Sequence, residues 1–161
     1  MADTVWILDA SSVFRAKIEV PADRQWALFE RLKALVLVGR IAVPKQVINE
    51  ARGQRHTDIP EAWFLGIEPH LQHPVLCSQA NLERVMQEVG LELIDVDAET
   101  DPADPYVLAL ALDLQAVALD VEVVTNDRID RPPRIGLATA CERLGVPAID
   151  LDTFLRSVDG W

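Results

Sequence analysis

The chain has 161 residues, half of them hydrophobic and a quarter charged, which is typical of one globular domain with a sizeable core. No apolar run reaches the ~18 residues of a membrane-spanning helix, and the first residues lack the basic segment of a signal peptide, so we expect a cytoplasmic protein that makes no membrane contact. The net charge of −11 argues against a general nucleic-acid-binding protein, which needs a basic surface.

The first half of the chain is predicted to begin with a buried strand, because Val5–Leu8 is a short apolar run. Helices follow where apolar residues recur every three to four positions, with Gly39 and Gly53 as helix ends, Pro44 in a favoured first position and Ser78 as an N-cap. The predicted order is strand 5–8, helix 23–38, strand 41–43, helix 44–52, helix 59–67 and helix 79–89.

The second half is predicted to alternate strands with helices. Residues 91–97 alternate apolar and polar side chains and suggest a strand, whereas Tyr106–Ala116 is apolar nearly all round and suggests a buried helix. A strand at 121–125, a helix at 139–144, a strand at 147–151 and a last helical turn at 153–157 follow. Strands separated by helices favour a parallel sheet, so we expect an α/β fold with a single domain over residues 1–161.

The excess negative charge lies in residues 85–127, which hold 11 acidic residues and no lysine or arginine. The rest of the chain carries 15 acidic and 15 basic residues and is neutral. A solvated acidic surface would explain this segment, and so would a group of carboxylates that binds a cation. The charge distribution by itself does not distinguish the solvated acidic surface from the cation-binding group.

Four acidic residues occupy positions where a ligand site is expected. Asp9 and Asp127 follow predicted strands, and ligands of open parallel sheets bind outside the carboxyl ends of the strands. Asp104 begins the buried helix, and Glu50 lies beside the apolar stripe of an earlier helix. Four carboxylates at one point would repel one another unless a cation lay between them, and oxygen ligands suit Mg²⁺ or Mn²⁺.

Each of these acids also has a purely structural interpretation. Asp9 could simply end a strand, and Asp127 could be a turn residue. Asp104 could cap the helix that follows it, since a proline comes next, and Asp101 repeats that pattern three residues earlier. Asp101 is therefore an alternative to Asp104 as the third acid. Glu50 could be a solvated helix residue.

The order of the acids resembles a known family. The segments ILDASSV (7–13), VPKQVINE (43–50), ADPYVLALA (103–111) and VVTND (123–127) are similar, in that order, to the acid-bearing motifs of PIN domains, the fold of many bacterial toxin endoribonucleases. The similarity is greatest to an uncharacterised PIN-like branch in which A-D-P, V-T-N and I-x-x-x-C-x-x-L-G-V occur together. The last pattern appears in stretched form at 135–146, and the resemblance spans about residues 5 to 156.

The resemblance implies a three-layer PIN-like fold with a mainly parallel central sheet flanked by helices. It also implies a metal-dependent endoribonuclease in which one or two Mg²⁺ or Mn²⁺ ions activate a water that cuts an RNA phosphodiester, leaving a 5′-phosphate and a 3′-hydroxyl. The implied catalytic residues and metal ligands are Asp9, Glu50, Asp104 and Asp127, with Asp101 as the alternative third ligand. Ser11, Thr125 and Asn126 are implied to orient these ligands.

Basic residues follow three of the four acids within a few positions. They suggest a basic rim that holds the RNA backbone around the acidic site, and ordinary surface arginines are the alternative. The predicted RNA-binding residues are Arg15, Lys17, Arg52, Arg55, Arg128, Arg131 and Arg134.

The resulting hypothesis is the toxin of a toxin–antitoxin pair, with an antitoxin protein as its inhibitor and a homodimer as its oligomeric state. One alternative is a PIN-like module that binds RNA or metal with little or no nuclease activity, which the charge of −11 favours. Another is a metal-dependent DNA nuclease or phosphatase that uses the same acids.

Overall fold

The structure is a computed structural model that describes residues 3–52, 59–93 and 102–158. Its centre is a sheet of four short strands in the order β2-β1-β3-β4, and every neighbouring pair is parallel. The strands are β1 (Val5–Leu8), β2 (Ile41–Ala42), β3 (Val121–Val124) and β4 (Ala148–Ile149). The side chains of β1 are all buried, as expected for a strand covered on both faces. The predicted α/β fold with a parallel sheet is confirmed.

Helices flank the sheet in a three-layer α/β arrangement. They are α1 (Ala10–Glu19), α2 (Ala22–Leu37), α3 (Lys45–Arg52), α4 (Ile59–Ile67), α5 (Gln79–Val85), α6 (Leu91–Leu93), α7 (Asp104–Ala116), α8 (Leu137–Arg143) and α9 (Leu151–Ser157). The helix α7 packs on β1 and β3 and is buried at 8 of its 13 positions, as its apolar sequence predicts. Among the helices of the described residues, none combines the length and apolar character needed to cross a bilayer.

One helix was not predicted, and one predicted strand was wrong. No element was assigned to residues 10–22, yet α1 begins at Ala10 and buries Ala10, Val13 and Ala16 at helical spacing. Two of these three buried residues are alanines, and five of the ten positions are polar or charged, so the apolar stripe of α1 is faint in sequence. The predicted strand at 91–97 begins instead with α6, which continues the helical run of Met86–Gly90. The rest of that predicted strand lies outside the described residues.

The strand order places a change of direction next to β1. The chain moves from β1 to β2 on one side, and β3 and β4 lie on the other side. In open α/β sheets, the connections leave the two central strands in opposite directions at such a point. A crevice is therefore expected at the carboxyl ends of these two strands. Asp9 follows β1 there, and Thr125, Asn126 and Asp127 follow β3.

Candidate active site

Asp9 directly follows β1 at this end of the sheet and is only 4% exposed. Its backbone N–H donates to Val124 O at 3.1 Å, which continues the pairing of β1 with β3. Its Oδ2 accepts hydrogen bonds from Ser11 Oγ at 2.6 Å and from Thr125 Oγ1 at 2.9 Å. Burial raises the pKa of Asp9, the two hydroxyl groups partly offset this, and the charge of Asp127 raises it further. Asp9 is therefore an oriented carboxylate, and no basic side chain of the described residues forms an ion pair with it.

Asp104 is the first residue of α7 and not its N-cap. The N-cap is Ala103, whose side chain makes no capping hydrogen bond, so the capping interpretation of Asp104 does not hold. Burial raises the pKa of Asp104 to about 8, and the charges of Asp9, Asp127 and Glu50 contribute, while Arg134 lowers it. Asp104 is thus coupled electrostatically to three other carboxylates.

Glu50 connects α3 to the start of α7. Its Oε1 accepts a hydrogen bond from Ala103 N at 3.1 Å, across 53 residues of sequence. Burial raises the pKa of Glu50, and the charge of Asp9 raises it further. Glu50 is therefore half-buried against the site, and the interpretation of it as a solvated helix residue is wrong.

Asp127 is held by the loop that leads to α8. Its N–H donates to Thr125 Oγ1 at 3.1 Å, so one hydroxyl contacts both strand-end acids. Its Oδ2 accepts from Leu137 N at 3.3 Å, which engages the first residue of α8. Asp127 thus has a structural role as well as a place in the acidic group. Asn126 faces a different element, because its Oδ1 accepts from Leu151 N at 2.9 Å.

The four predicted acids converge electrostatically, since the charges of Asp9, Glu50 and Asp127 all raise the pKa of Asp104. Within the described part of the chain, however, no three His, Cys, Asp or Glu side chains are arranged as a ready metal-binding group. One cation already approaches the site, because Arg134 Nη2 lies 3.5 Å from Asp104 Oδ2. Buried, mutually repelling carboxylates suit a hard divalent cation, and the metal stays a prediction. Asp101 lies outside the described residues.

Several of the predicted RNA-binding side chains are engaged within the protein. Arg15 pairs with Glu19 at 2.7 Å, and Arg52 pairs with Glu68 at 3.0 Å. Lys17 is exposed in the last turn of α1. Within the described ranges, Arg128 and Arg131 are exposed and take part in no ion pair. Arg55 lies outside those ranges.

Two residues beside the site were not singled out as functional by the sequence. Cys141 is fully buried in α8, and burial together with the charges of Asp9 and Asp104 raises its pKa to about 12. Gly136 lies against the Asp127 loop, and a Cβ at this position would come within 3.0 Å of Asp127 O. Both fall in the stretched I-x-x-x-C-x-x-L-G-V segment, which was the only signal available for them.

The comparisons with known proteins identify a family of unknown function. A family profile described as a domain of unknown function, DUF4411, matches residues 6–160, which is nearly the whole chain. No curated protein matches the sequence.

Proposed function

We propose that this chain, which belongs to the DUF4411 family, is a divalent-metal-dependent endoribonuclease. The observation that carries the proposal is the electrostatic coupling of four carboxylates from four separate segments: the charges of Asp9, Glu50 and Asp127 all raise the pKa of Asp104, and Asp9 and Asp127 follow neighbouring parallel strands. Such a group suits Mg²⁺ or Mn²⁺. The choice of RNA as substrate rests on the resemblance of the acid-bearing motifs to those of PIN domains.

In this proposal Asp9, Glu50, Asp104 and Asp127 would hold one or two ions. A bound ion would supply a water of lowered pKa and a counter-charge for the phosphate oxygens. Ser11 and Thr125 hold one oxygen of Asp9, which fixes the direction of the carboxylate. Arg134 balances part of the charge of Asp104, and a metal ion would compete with it for that carboxylate.

The proposed biological role is that of a toxin in the cytoplasm, inhibited by an antitoxin protein. Such an inhibitor would have to cover the crevice at Asp9 and Asp104, because the proposed chemistry takes place there. We also propose a homodimer, as the resemblance implies. Light scattering of the purified chain, alone and after co-expression with a neighbouring open reading frame, would test both statements.

Thermal and chemical unfolding with and without Mn²⁺ tests the metal site before any RNA is known. Mn²⁺ at ~100 times its dissociation constant should add roughly 2.7 kcal/mol to the free energy of unfolding. Asp9→Asn and Asp104→Asn should lose this gain. Asp152→Asn is the matched control, because Asp152 is an exposed aspartate on α9 that pairs with Arg156. If Mn²⁺ stabilises the Asp9 variant as much as wild type, the metal proposal is wrong.

Cleavage separates this proposal from its alternatives. A pool of structured RNAs incubated with Mn²⁺ should acquire cuts with 5′-phosphate ends that are absent with Asp9→Asn. A PIN-like module that binds without cutting is the second candidate, and the net charge of −11 with several arginines already paired favours it. RNA retention without cuts would support that candidate. Equal cleavage of DNA would indicate a broader nuclease.

A further inference from the structure

A polar cavity of about 400 Å³ lies between α8 and the strand β4, and Arg128, the residue after Asp127, lines it. Arg128, Thr139 and Glu142 supply its polar groups, and Val146, Pro147 and Ala148 supply its apolar surface. Binding sites for small ligands have this size and this mixture of an apolar wall with a few polar groups.

The cavity shares a loop with the candidate active site. Arg128 directly follows Asp127, and Ala138, which also lines the cavity, donates its N–H to Asp127 O at 3.1 Å. The lining of the cavity therefore adjoins the backbone of Asp127.

The polar groups of the cavity match the parts of a nucleotide. The guanidinium of Arg128 is exposed, forms no ion pair within the described ranges and can bind a phosphate or stack on a base. The carboxylate of Glu142 accepts hydrogen bonds and would recognise an exocyclic amino group, as acidic side chains do with cytosine. The apolar wall can cover the face of a base.

We propose that this cavity is a nucleotide subsite that holds the base next to the scissile phosphate and prefers bases with an exocyclic amino group to uracil. This inference rests on the proposed ribonuclease function. Thr139 adds an acceptor for a ribose hydroxyl, because its own hydroxyl proton is donated to Asp130 Oδ1 at 2.7 Å.

Titration of the full, metal-free chain with AMP, CMP, GMP and UMP tests the subsite, with the amide NMR signals of Thr139 and Ala148 as the readout. The first three should shift these signals, and UMP should bind at least ~5-fold more weakly, a difference of about 1 kcal/mol. Glu142→Gln should reduce that preference. Arg128→Gln, a change at an exposed side chain, should weaken all four by a similar factor.

Ala148→Phe should fill the cavity and weaken CMP binding about 10-fold. Its matched control is Ala62→Phe, which fills a separate apolar cavity of about 210 Å³ beside Trp26 and Trp63. Melting curves show whether each variant is folded. If Ala148→Phe does not fold, Arg128→Gln serves as the test variant in its place. Equal weakening by both phenylalanine variants, or shifts confined to other amides, would overturn the subsite.

Mn²⁺ binding measured on the same samples separates the two proposals. If Mn²⁺ stabilises the protein and no nucleotide shifts the cavity signals, the subsite is wrong and the metal proposal stands. If nucleotides bind and Mn²⁺ does not, the ribonuclease proposal fails, and with it the placement of the base beside a scissile phosphate.

Discussion

Thr125 is the residue that joins the two acids at the strand ends. It is fully buried, and its hydroxyl group donates to Asp9 Oδ2 while accepting from Asp127 N. A valine would keep the shape of the side chain and lose both hydrogen bonds. The part-buried N–H of Asp127 and the buried Oδ2 of Asp9 would then lack this partner, and the loss is costly at Asp9, where water cannot replace it.

We therefore expect Thr125→Val to lower the free energy of unfolding by about 1–3 kcal/mol and the Mn²⁺ affinity by about 10- to 100-fold. Urea unfolding and calorimetric titration measure the two effects. Ser11→Ala is the control, because Ser11 also bonds to Asp9 but is exposed, so water can replace its hydroxyl group. Losses of equal size in the two variants would contradict this role of Thr125.

Asp104 links stability to pH in the metal-free protein. Its pKa is raised from the ordinary value of 3.8 to about 8, first by burial and then by the charges of Asp9, Asp127 and Glu50. Below pH 3.8 the carboxyl group is protonated in both the folded and the unfolded states. Between pH 3.8 and 8 the unfolded chain releases this proton more readily, so the stability that the protonated group contributes is lost as the pH rises.

We expect the free energy of unfolding of the metal-free protein to fall from pH 5 to pH 8. Asp104→Asn should be less sensitive to pH and more stable than wild type at pH 8 by at least about 1.4 kcal/mol, the equivalent of one pKa unit. Urea unfolding in the presence of EDTA at each pH measures this. Parallel profiles for the two proteins would mean that burial and the other acids do not raise the pKa of Asp104.

The loop between β3 and α8 holds Asp127 through close backbone contacts. Asp127 O accepts from Ala138 N at 3.1 Å, and Gly136 N donates to Asp130 Oδ1 at 2.9 Å. A Cβ at Gly136 would come within 3.0 Å of Asp127 O and 3.1 Å of Ile129 N, which are backbone atoms. This element therefore has no space for a side chain where it passes the acid.

Gly136→Ala should consequently lower the free energy of unfolding by about 1–3 kcal/mol, as overpacking does, and should weaken Mn²⁺ binding because Asp127 is displaced. Gly66→Ala is the matched control. Gly66 lies within α4, and no atom lies within 4 Å of a Cβ built there, so this change should stabilise the protein by about 0.5–1 kcal/mol. Urea unfolding measures both, and similar signs for the two would contradict the packing argument.

For the molecule as a whole, the charge distribution limits how RNA can bind. The acidic excess lies in residues 85–127, and Arg15, Arg52 and Arg134 are paired with acidic side chains. Each contact with a phosphate of single-stranded nucleic acid makes the slope of log binding constant against log salt concentration more negative by about 0.7. Because three of the predicted RNA-binding arginines in the described residues are already paired, we expect the affinity for RNA to depend weakly on salt.

We expect a slope of about −1.4 for single-stranded RNA if Arg128 and Arg131 make the phosphate contacts, against roughly −5 if all seven predicted basic residues did so. Fluorescence anisotropy with Asp9→Asn, which should not cut, measures the slope. Replacing both arginines with glutamine should bring it close to zero. A steep slope that survives this double substitution would place the RNA elsewhere.

Much of the fold could be predicted because its signals are local. The apolar run at Val5–Leu8, the apolar helix at Asp104–Ala116 and the cap at Ser78 are patterns within a few residues of one another. The helix α1 was missed and the strand predicted to start at residue 91 was wrong for the same reason. A short stretch with a faint apolar stripe, or with a brief alternation of apolar and polar residues, is compatible with both a helix and a strand. Its packing partners then determine which of the two forms.

The candidate site, like the fold, could be predicted from the sequence only in part. Residue order was enough to propose Asp9, Glu50, Asp104 and Asp127, because acids beside buried strands and helices stand out locally. The contact of Thr125 with Asp9 across 116 residues and that of Glu50 with Ala103 depend on strand order, and the pairing of Arg134 with Asp104 depends on the path of a loop. Local periodicity carries no information about these distances, since they arise only when the crossovers bring distant segments to one end of the sheet.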